Sequence, residues 1–379
     1  MKTIQLNKTN ETKREYYIDW LRDIVVLILI PFHTAVSFSH IGKGYTYTAA
    51  ADNSWLFIFI SDFFNLWIMR LLFFISGMSV FMSLKKRKTQ SFIKDRFKRL
   101  VIPVLFQLLI TGPIAGYILA IGRDNFSDSF LSFYPQFFIQ SKKYLFWGHM
   151  WYCVYLFNFS IILLPLLSTL LRKPELAKKI NIFLIRKNNI LLPMIIIIFF
   201  EAILRPQYPG YQSFIGDWAN VVTYSLFFII GFIVVQTPAV FEVITQKRIF
   251  FLISAVCMTT AFLFCKRKFF IEADLRQLSI IAALWGAAAY CWVMSLIGFF
   301  KKYLNHNSSG LRYLSKTSFS LYIFHYLILS VFNFFLLKTK LSNLLIWTIT
   351  SLGTYIVFAL FFELILKRSK IMCYICGIK

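Results

Sequence analysis

Long apolar runs alternate with short charged stretches along the whole chain. Ten runs reach spanning length, at about 18–39, 55–84, 100–121, 148–171, 190–204, 219–236, 249–265, 278–299, 317–337 and 344–366. Roughly 20 apolar residues cross the ~30 Å hydrocarbon layer as a helix. Within that layer each backbone polar group must be satisfied internally, which leaves helices as the expected form. The predicted fold is all-α: one polytopic integral membrane bundle of about ten transmembrane helices, 15–366, with a polar leader, 1–14, and a short basic tail, 367–379. Between the second and third runs, KKRKTQSFIKDRFKRLVIP alternates basic and apolar residues and predicts an amphipathic interfacial helix before Pro103 opens the third span. The segment 205–218, RPQYPGYQSFIGDW, predicts a compact, fixed loop from its prolines, glycines and aromatics.

Composition agrees. The 379 residues are 58% hydrophobic, with 44 Phe and a mean hydropathy of +0.66, which excludes a soluble globule of this size. With a cytoplasmic amino terminus, the inner segments carry 28 Lys/Arg and the outer ones 11, while Arg22 and Arg70 lie within spans. That bias places both termini in the cytoplasm, although Lys266, Arg267 and Lys268 run against it. The net charge of +25 therefore reads as topology and contact with anionic membrane lipids, and no nucleic-acid partner is expected. Six cysteines lie mostly in or beside spans without metal-ligand spacing, Cys373 and Cys376 being a lone pair, so no bound metal is expected. Asp19, Arg22 and Asp23 in the first run, with no small-residue cleavage site after it, argue against a cleaved signal.

Ionisable groups inside spans are costly and mark candidate chemistry. Arg22 and His33, in DWLRDIVVLILIPFH, share the first run and lie roughly 16 Å apart along a helix. His33 is the candidate base, since imidazole titrates near neutrality; packing against a backbone carbonyl is its structural alternative. Arg96 and Arg99, spaced i, i+3, face one way on a helix and suit bidentate phosphate binding with Arg22. Topology anchoring, or pairing of Arg22 with Asp19 or Asp23, explains the same arginines. In FFISGMS, Ser76 and Gly77 leave room for a thin pantetheine arm or for close helix packing. Asp62 and Arg70 are candidates either to orient His33 or to pair internally. His149 and Trp151, in GHMWY, and Glu201 and Arg205 are expected at the outer rim, where they suit a sugar-type acceptor or an interfacial belt. His325, in SLYIFHYL, reads as a packed histidine.

These strings, YYIDWLR followed ten residues on by His33, then FFISGMS, RFKRLVIP, GHMWYCVYLF and SLYIFHYLIL, resemble membrane-bound acyltransferase family 3 from about 15 to 365. EAILRPQYPG with DWAN is similar to the branch with glucan-modifying members. The resemblance implies an acyl-coenzyme A co-substrate, most simply acetyl-coenzyme A, taken from the cytoplasm. It implies acylation of a glycan hydroxyl beyond a bacterial inner membrane. It assigns His33 as catalytic base, Arg22, Arg96 and Arg99 to donor phosphates, and Ser76 and Gly77 to the donor channel. Asp23 beside Arg22, and Tyr152 and Cys153 in place of Phe-Leu, depart from the family pattern. The family's carboxy-terminal extracytoplasmic domain has no counterpart here, which leaves room for an accessory partner. The rival expectation is a transporter or flippase for a glycan, lipid or osmolyte, against which no matching pair of interrupted spans is found.

Overall fold

The computed structural model describes residues 15–39, 54–140, 147–186, 189–210, 214–269 and 273–378; the polar leader 1–14 lies outside them. No strand occurs among the described residues, and the architecture is a polytopic helical bundle. Its helices are α1 (Tyr16–Val36), α2 (Trp55–Lys86), α3 (Thr89–Asp124), α4 (Phe130–Ile139), α5 (Gly148–Ile162), α6 (Leu164–Arg172), α7 (Pro174–Ile185) and α8 (Asn189–Leu204). Then follow α9 (Trp218–Val234), α10 (Pro238–Gln246), α11 (Arg248–Lys268), α12 (Leu275–Tyr303), α13 (Ser309–Leu336), α14 (Asn343–Arg368) and α15 (Lys370–Cys376).

Among the described residues, six helices are long and apolar enough to span singly: α2, α3, α11, α12, α13 and α14. The pairs α5/α6, α7/α8 and α9/α10 bring the number to nine if each is one bent span. The α5/α6 pair bends by 54° and α9/α10 by 112°. Pro165 and Pro238 stand at these bends, where a missing N–H and a ring clash end the preceding helix. Helix α1 is outside this count because Asp19, Arg22 and Asp23 crowd its first half; the expected count of ten is not reached by length and composition.

Two local expectations change. Residues 89–96 form no separate interfacial helix: they are the first turns of α3, continuous with the third span through Asp124. Two π turns, Phe97–Val101 and Gln107–Thr111, interrupt that helix just before Pro103 and Pro113. In each, the ladder skips one residue, as where Ile102 N–H reaches the Phe97 carbonyl. The stretch 122–147, which lies between two apolar runs and so reads as an outer loop, also carries a helix of its own, α4, against the second half of α3.

Helix α1 packs against α2, α12, α13 and α14, so its side chains face protein on several sides. Buried Asp23 accepts from Ser315 at 2.5 Å and Ser318 at 2.8 Å, pinning α1 to α13. Pro31 has no N–H to give the Leu27 carbonyl, and Tyr355 Oη on α14 donates to that carbonyl at 2.7 Å instead. Trp347 Nε1 donates to the Pro31 carbonyl at 2.9 Å. Together these contacts fix the helix turn that carries His33.

Candidate active site

Three histidines from three helices meet in the bundle. His33 on α1 and His325 on α13 have ring centroids 5.3 Å apart, and His149 at the start of α5 lies 4.8 Å from His325. Tyr326 closes the group, its ring 5.9 Å from His33 and 5.4 Å from His149. Gly148 makes this placement possible: its φ of +49° turns the chain in the left-handed region, which glycine adopts without a Cβ penalty. His149 and Trp151 thus sit at the depth of mid-α13, not at the outer rim where the sequence placed them. His325, read as a packed histidine, stands beside His33. The conflict between two spans each carrying a buried histidine was the signal available for that pairing.

His33 and His149 line a cavity of about 720 Å³, together with Trp151, Tyr322, Tyr326 and Arg205. Its far end is formed by Pro206, Gly210, Lys266 and Phe269, at the face that the charge bias assigns to the outside. Lys266 there clasps Asp62 of α2 at 2.7 and 2.8 Å. This pair accounts for a lysine that opposes the topological bias, and it shows that Asp62 pairs internally and does not orient His33. No three His, Cys, Asp or Glu side chains among the described residues are grouped to hold a metal ion.

Arg205 reaches this cavity from a buried network. Glu201 accepts from Arg205 at 2.8 and 3.0 Å and from Thr223 at 2.9 Å, and Arg70 lies 3.6 Å from it. Arg70 and Arg205 both lie over the Trp285 ring, at 4.6 and 4.8 Å. Arg205 also donates to Asn220 at 2.9 Å and to the Pro209 carbonyl at 3.4 Å, holding the described part of the 205–218 loop compact as expected. Glu201, expected to bind acceptor, is fully buried and does not line the cavity; its oxygens are taken by its neighbours. It positions Arg205.

The cavity stops short of the inner arginines. Below the histidines, Tyr322 donates to the His149 carbonyl at 2.6 Å, and its ring lies 6.2 Å from Tyr152. Tyr152 in turn shares a 2.6 Å hydrogen bond with Ser76. Arg22 and Arg96, which do not line the cavity, both lie within electrostatic reach of Tyr152. The departure at position 152 therefore links Ser76, Tyr152 and Tyr322, the last of which lines the cavity. Gly77 is not part of a channel: a Cβ there would lie 1.9 Å from the Phe228 carbonyl oxygen, and one at Gly231 2.0 Å from that of Phe74. The two glycines let α2 and α9 touch backbone to backbone.

Arg22 and Arg96 converge, whereas Arg99 turns away. A π turn, Phe97–Val101, follows Arg96, and the two arginines have different surroundings. Arg96 is half-buried over Phe92 at 5.0 Å with its Nε unpartnered, while Arg99, with 52% of its side chain exposed, pairs with Asp95 at 3.1 Å. Arg22 bonds Asp19 at 2.5 Å; Asp23 is 3.6 Å from it and is mainly held by its serines.

A cavity lined by imidazoles, with guanidiniums nearby but outside its lining, is a layout suited to a membrane-embedded group-transfer enzyme. A family model described as an acyltransferase domain, that of acyltransferase family 3, matches residues 15–363, and the chain belongs to this family of multi-pass membrane acyltransferases. Among curated relatives, "Glucans biosynthesis protein C" of Salmonella schwarzengrund (strain CVM19633) is 23% identical over 347 residues, covering 88% of this chain and 86% of the relative. The Salmonella typhi protein of that name is also 23% identical, and the Salmonella heidelberg (strain SL476) one 22%, with the same coverage. No solved structure matches the chain.

Proposed function

We propose that this acyltransferase moves an acyl group, most simply acetyl, from acyl-coenzyme A at the cytoplasmic face of a bacterial inner membrane to a glycan hydroxyl at the outer face. The observation that supports the reading is the presence of two groups of side chains: His33 and His149 lining the cavity, and Arg22 and Arg96, outside its lining, within electrostatic reach of Tyr152. Guanidiniums suit the donor's phosphates. Arg99 contributes at longer range, as an exposed cation at the same face.

The donor's thin arm reaches the histidines when Tyr152 swings away from Ser76, and Ser76 then lies along its path. His33 takes the proton of an acceptor hydroxyl, the oxygen attacks the thioester carbonyl, and the tetrahedral adduct collapses to an ester. The proton held on His33 passes to the departing thiolate, which leaves as free coenzyme A. Arg205 and Trp151 line the space where the acceptor sugar docks. Purified protein in proteoliposomes should release thiol from acetyl-coenzyme A in the presence of gluco-oligosaccharides and form an ester-bearing sugar. Sugar moved across the bilayer with no thiol released would overturn the reading in favour of transport.

A further inference from the structure

His325 is 1% exposed and has one nitrogen spoken for. Its Nδ1 lies 2.8 Å from the Tyr322 carbonyl and 3.1 Å from that of Leu321. Carbonyls only accept, so Nδ1 carries the proton and Nε2 is a bare lone pair. That Nε2 is buried with no hydrogen-bond partner. An orphaned buried acceptor costs ~1–3 kcal/mol and calls for a reason.

Two imidazoles pack against His325, and only one has a proton to offer. His149 directs its Nε2–H to the Ile323 carbonyl at 3.1 Å, and its Nδ1 is likewise a buried, unpartnered acceptor. Two acceptors do not bond each other. Tyr322 spends its hydroxyl on the His149 carbonyl. Of the two imidazoles, His33, whose ring centroid is 5.3 Å away at an interplanar angle of 35°, is the one left to donate. Nor, among the described residues, does a buried carboxylate compete for His33: Asp23 is held by serines, Asp62 by Lys266, Glu201 by Arg205, and Asp217 by Tyr155 and Asn220.

We propose that His325 is the positioning residue for the base: its Nε2 accepts the N–H of His33 and thereby keeps the other ring nitrogen of His33 as the lone pair that faces the cavity. The partner of a histidine's second nitrogen sets its tautomer. A neutral acceptor performs this task in the bilayer interior without the cost of burying an unpaired charge. When His33 takes up the acceptor's proton, the same bond becomes charge-assisted and stronger. The consequence for catalysis rests on the acyl-transfer reading above; the tautomer itself does not.

The test is ¹⁵N solid-state NMR of the full chain labelled at its 5 histidines in proteoliposomes, with His33 assigned by difference from His33→Asn. One tautomer for His33 is expected in the wild type and a mixture in His325→Phe. In parallel, His325→Phe should lower kcat by ~10-fold or more, part of the ~10²–10⁴-fold a positioned base contributes. KM for acetyl-coenzyme A should stay within about 2-fold, because the donor's grip lies elsewhere. His325→Gln, whose amide oxygen accepts at similar reach, should restore the single tautomer and most of kcat. Mixed His33 tautomers in the wild type, or a His325→Phe enzyme with wild-type kcat, would overturn the proposal. If His325→Phe does not fold, the wild-type and His325→Gln spectra still decide. A wild type that releases no thiol removes the function reading alone.

Discussion

Glu201 is the single carboxylate between two buried guanidiniums, and its replacement tests whether it builds the site or touches the substrate. Glu201→Gln keeps the shape and removes the charge. Arg205 then loses two charge-assisted bonds of 2.8 and 3.0 Å, and Arg70, 1% exposed, loses its counter-ion at 3.6 Å. Stripping one partner from a buried ion pair costs ~3–5 kcal/mol, because an uncompensated charge stays behind. Arg205→Met leaves Glu201 still facing Arg70 and bonded to Thr223, so it should cost clearly less, ~1–3 kcal/mol. This asymmetry is the signature: loss of the Glu201 charge strips both Arg205 and Arg70, whereas loss of Arg205 leaves Glu201 its contacts with Arg70 and Thr223. Reversible unfolding in mixed detergent micelles, followed by tryptophan fluorescence, measures both variants. Glu201→Gln as stable as the wild type, combined with a raised acceptor KM, would refute the reasoning and return Glu201 to the acceptor.

Three further outcomes follow from individual contacts. Tyr355→Phe should destabilise by ~1–3 kcal/mol by orphaning the Leu27 carbonyl, and adding Pro31→Ala should recover most of that by restoring the helical N–H; no recovery in the same unfolding assay would contradict the account. Gly77→Ala should cost ~1–3 kcal/mol, since its Cβ would fall 1.9 Å from the Phe228 carbonyl oxygen and force α2 from α9; a stability within ~0.5 kcal/mol of wild type would sink that packing claim. Arg96→Ala should raise the acyl-coenzyme A KM more than it lowers kcat, and more than Arg99→Ala does, because Arg99 is exposed and paired with Asp95; steady-state kinetics reporting equal effects would reject the distinction.

The helical bundle was legible because the bilayer imposes a coarse rule: long apolar runs with few buried charges. Arg22 and His33 stood out for the same reason, as ionisable groups within an apolar run. What the sequence concealed depends on depth and rotation. GHMWY looks like the outer start of a span, yet α5 begins deep in the bundle, so His149 joins His33 instead of the rim. Arg96 and Arg99 share a face at α-helical pitch, but a π turn intervenes, and Arg99 is exposed and paired with Asp95 while Arg96 is half-buried over Phe92. Glu201 and Arg205, four residues apart, were legible as neighbours, but Arg70 came from a helix more than a hundred residues earlier. Lys266 opposed the charge bias in sequence and is explained only by Asp62 across the bundle.

The central claim is that one chain joins a thioester donor on one side of the membrane to a hydroxyl on the other through His33. Proteoliposomes with known protein orientation, given ¹⁴C-acetyl-coenzyme A only at the Arg22 face and gluco-oligosaccharide only at the cavity face, test it directly. The wild type should place label on the sugar across the bilayer, and His33→Ala, folded and correctly inserted, should lose transfer by ~10²-fold or more. Label that appears only when donor and acceptor share a side, or transfer that survives in His33→Ala, would contradict the account.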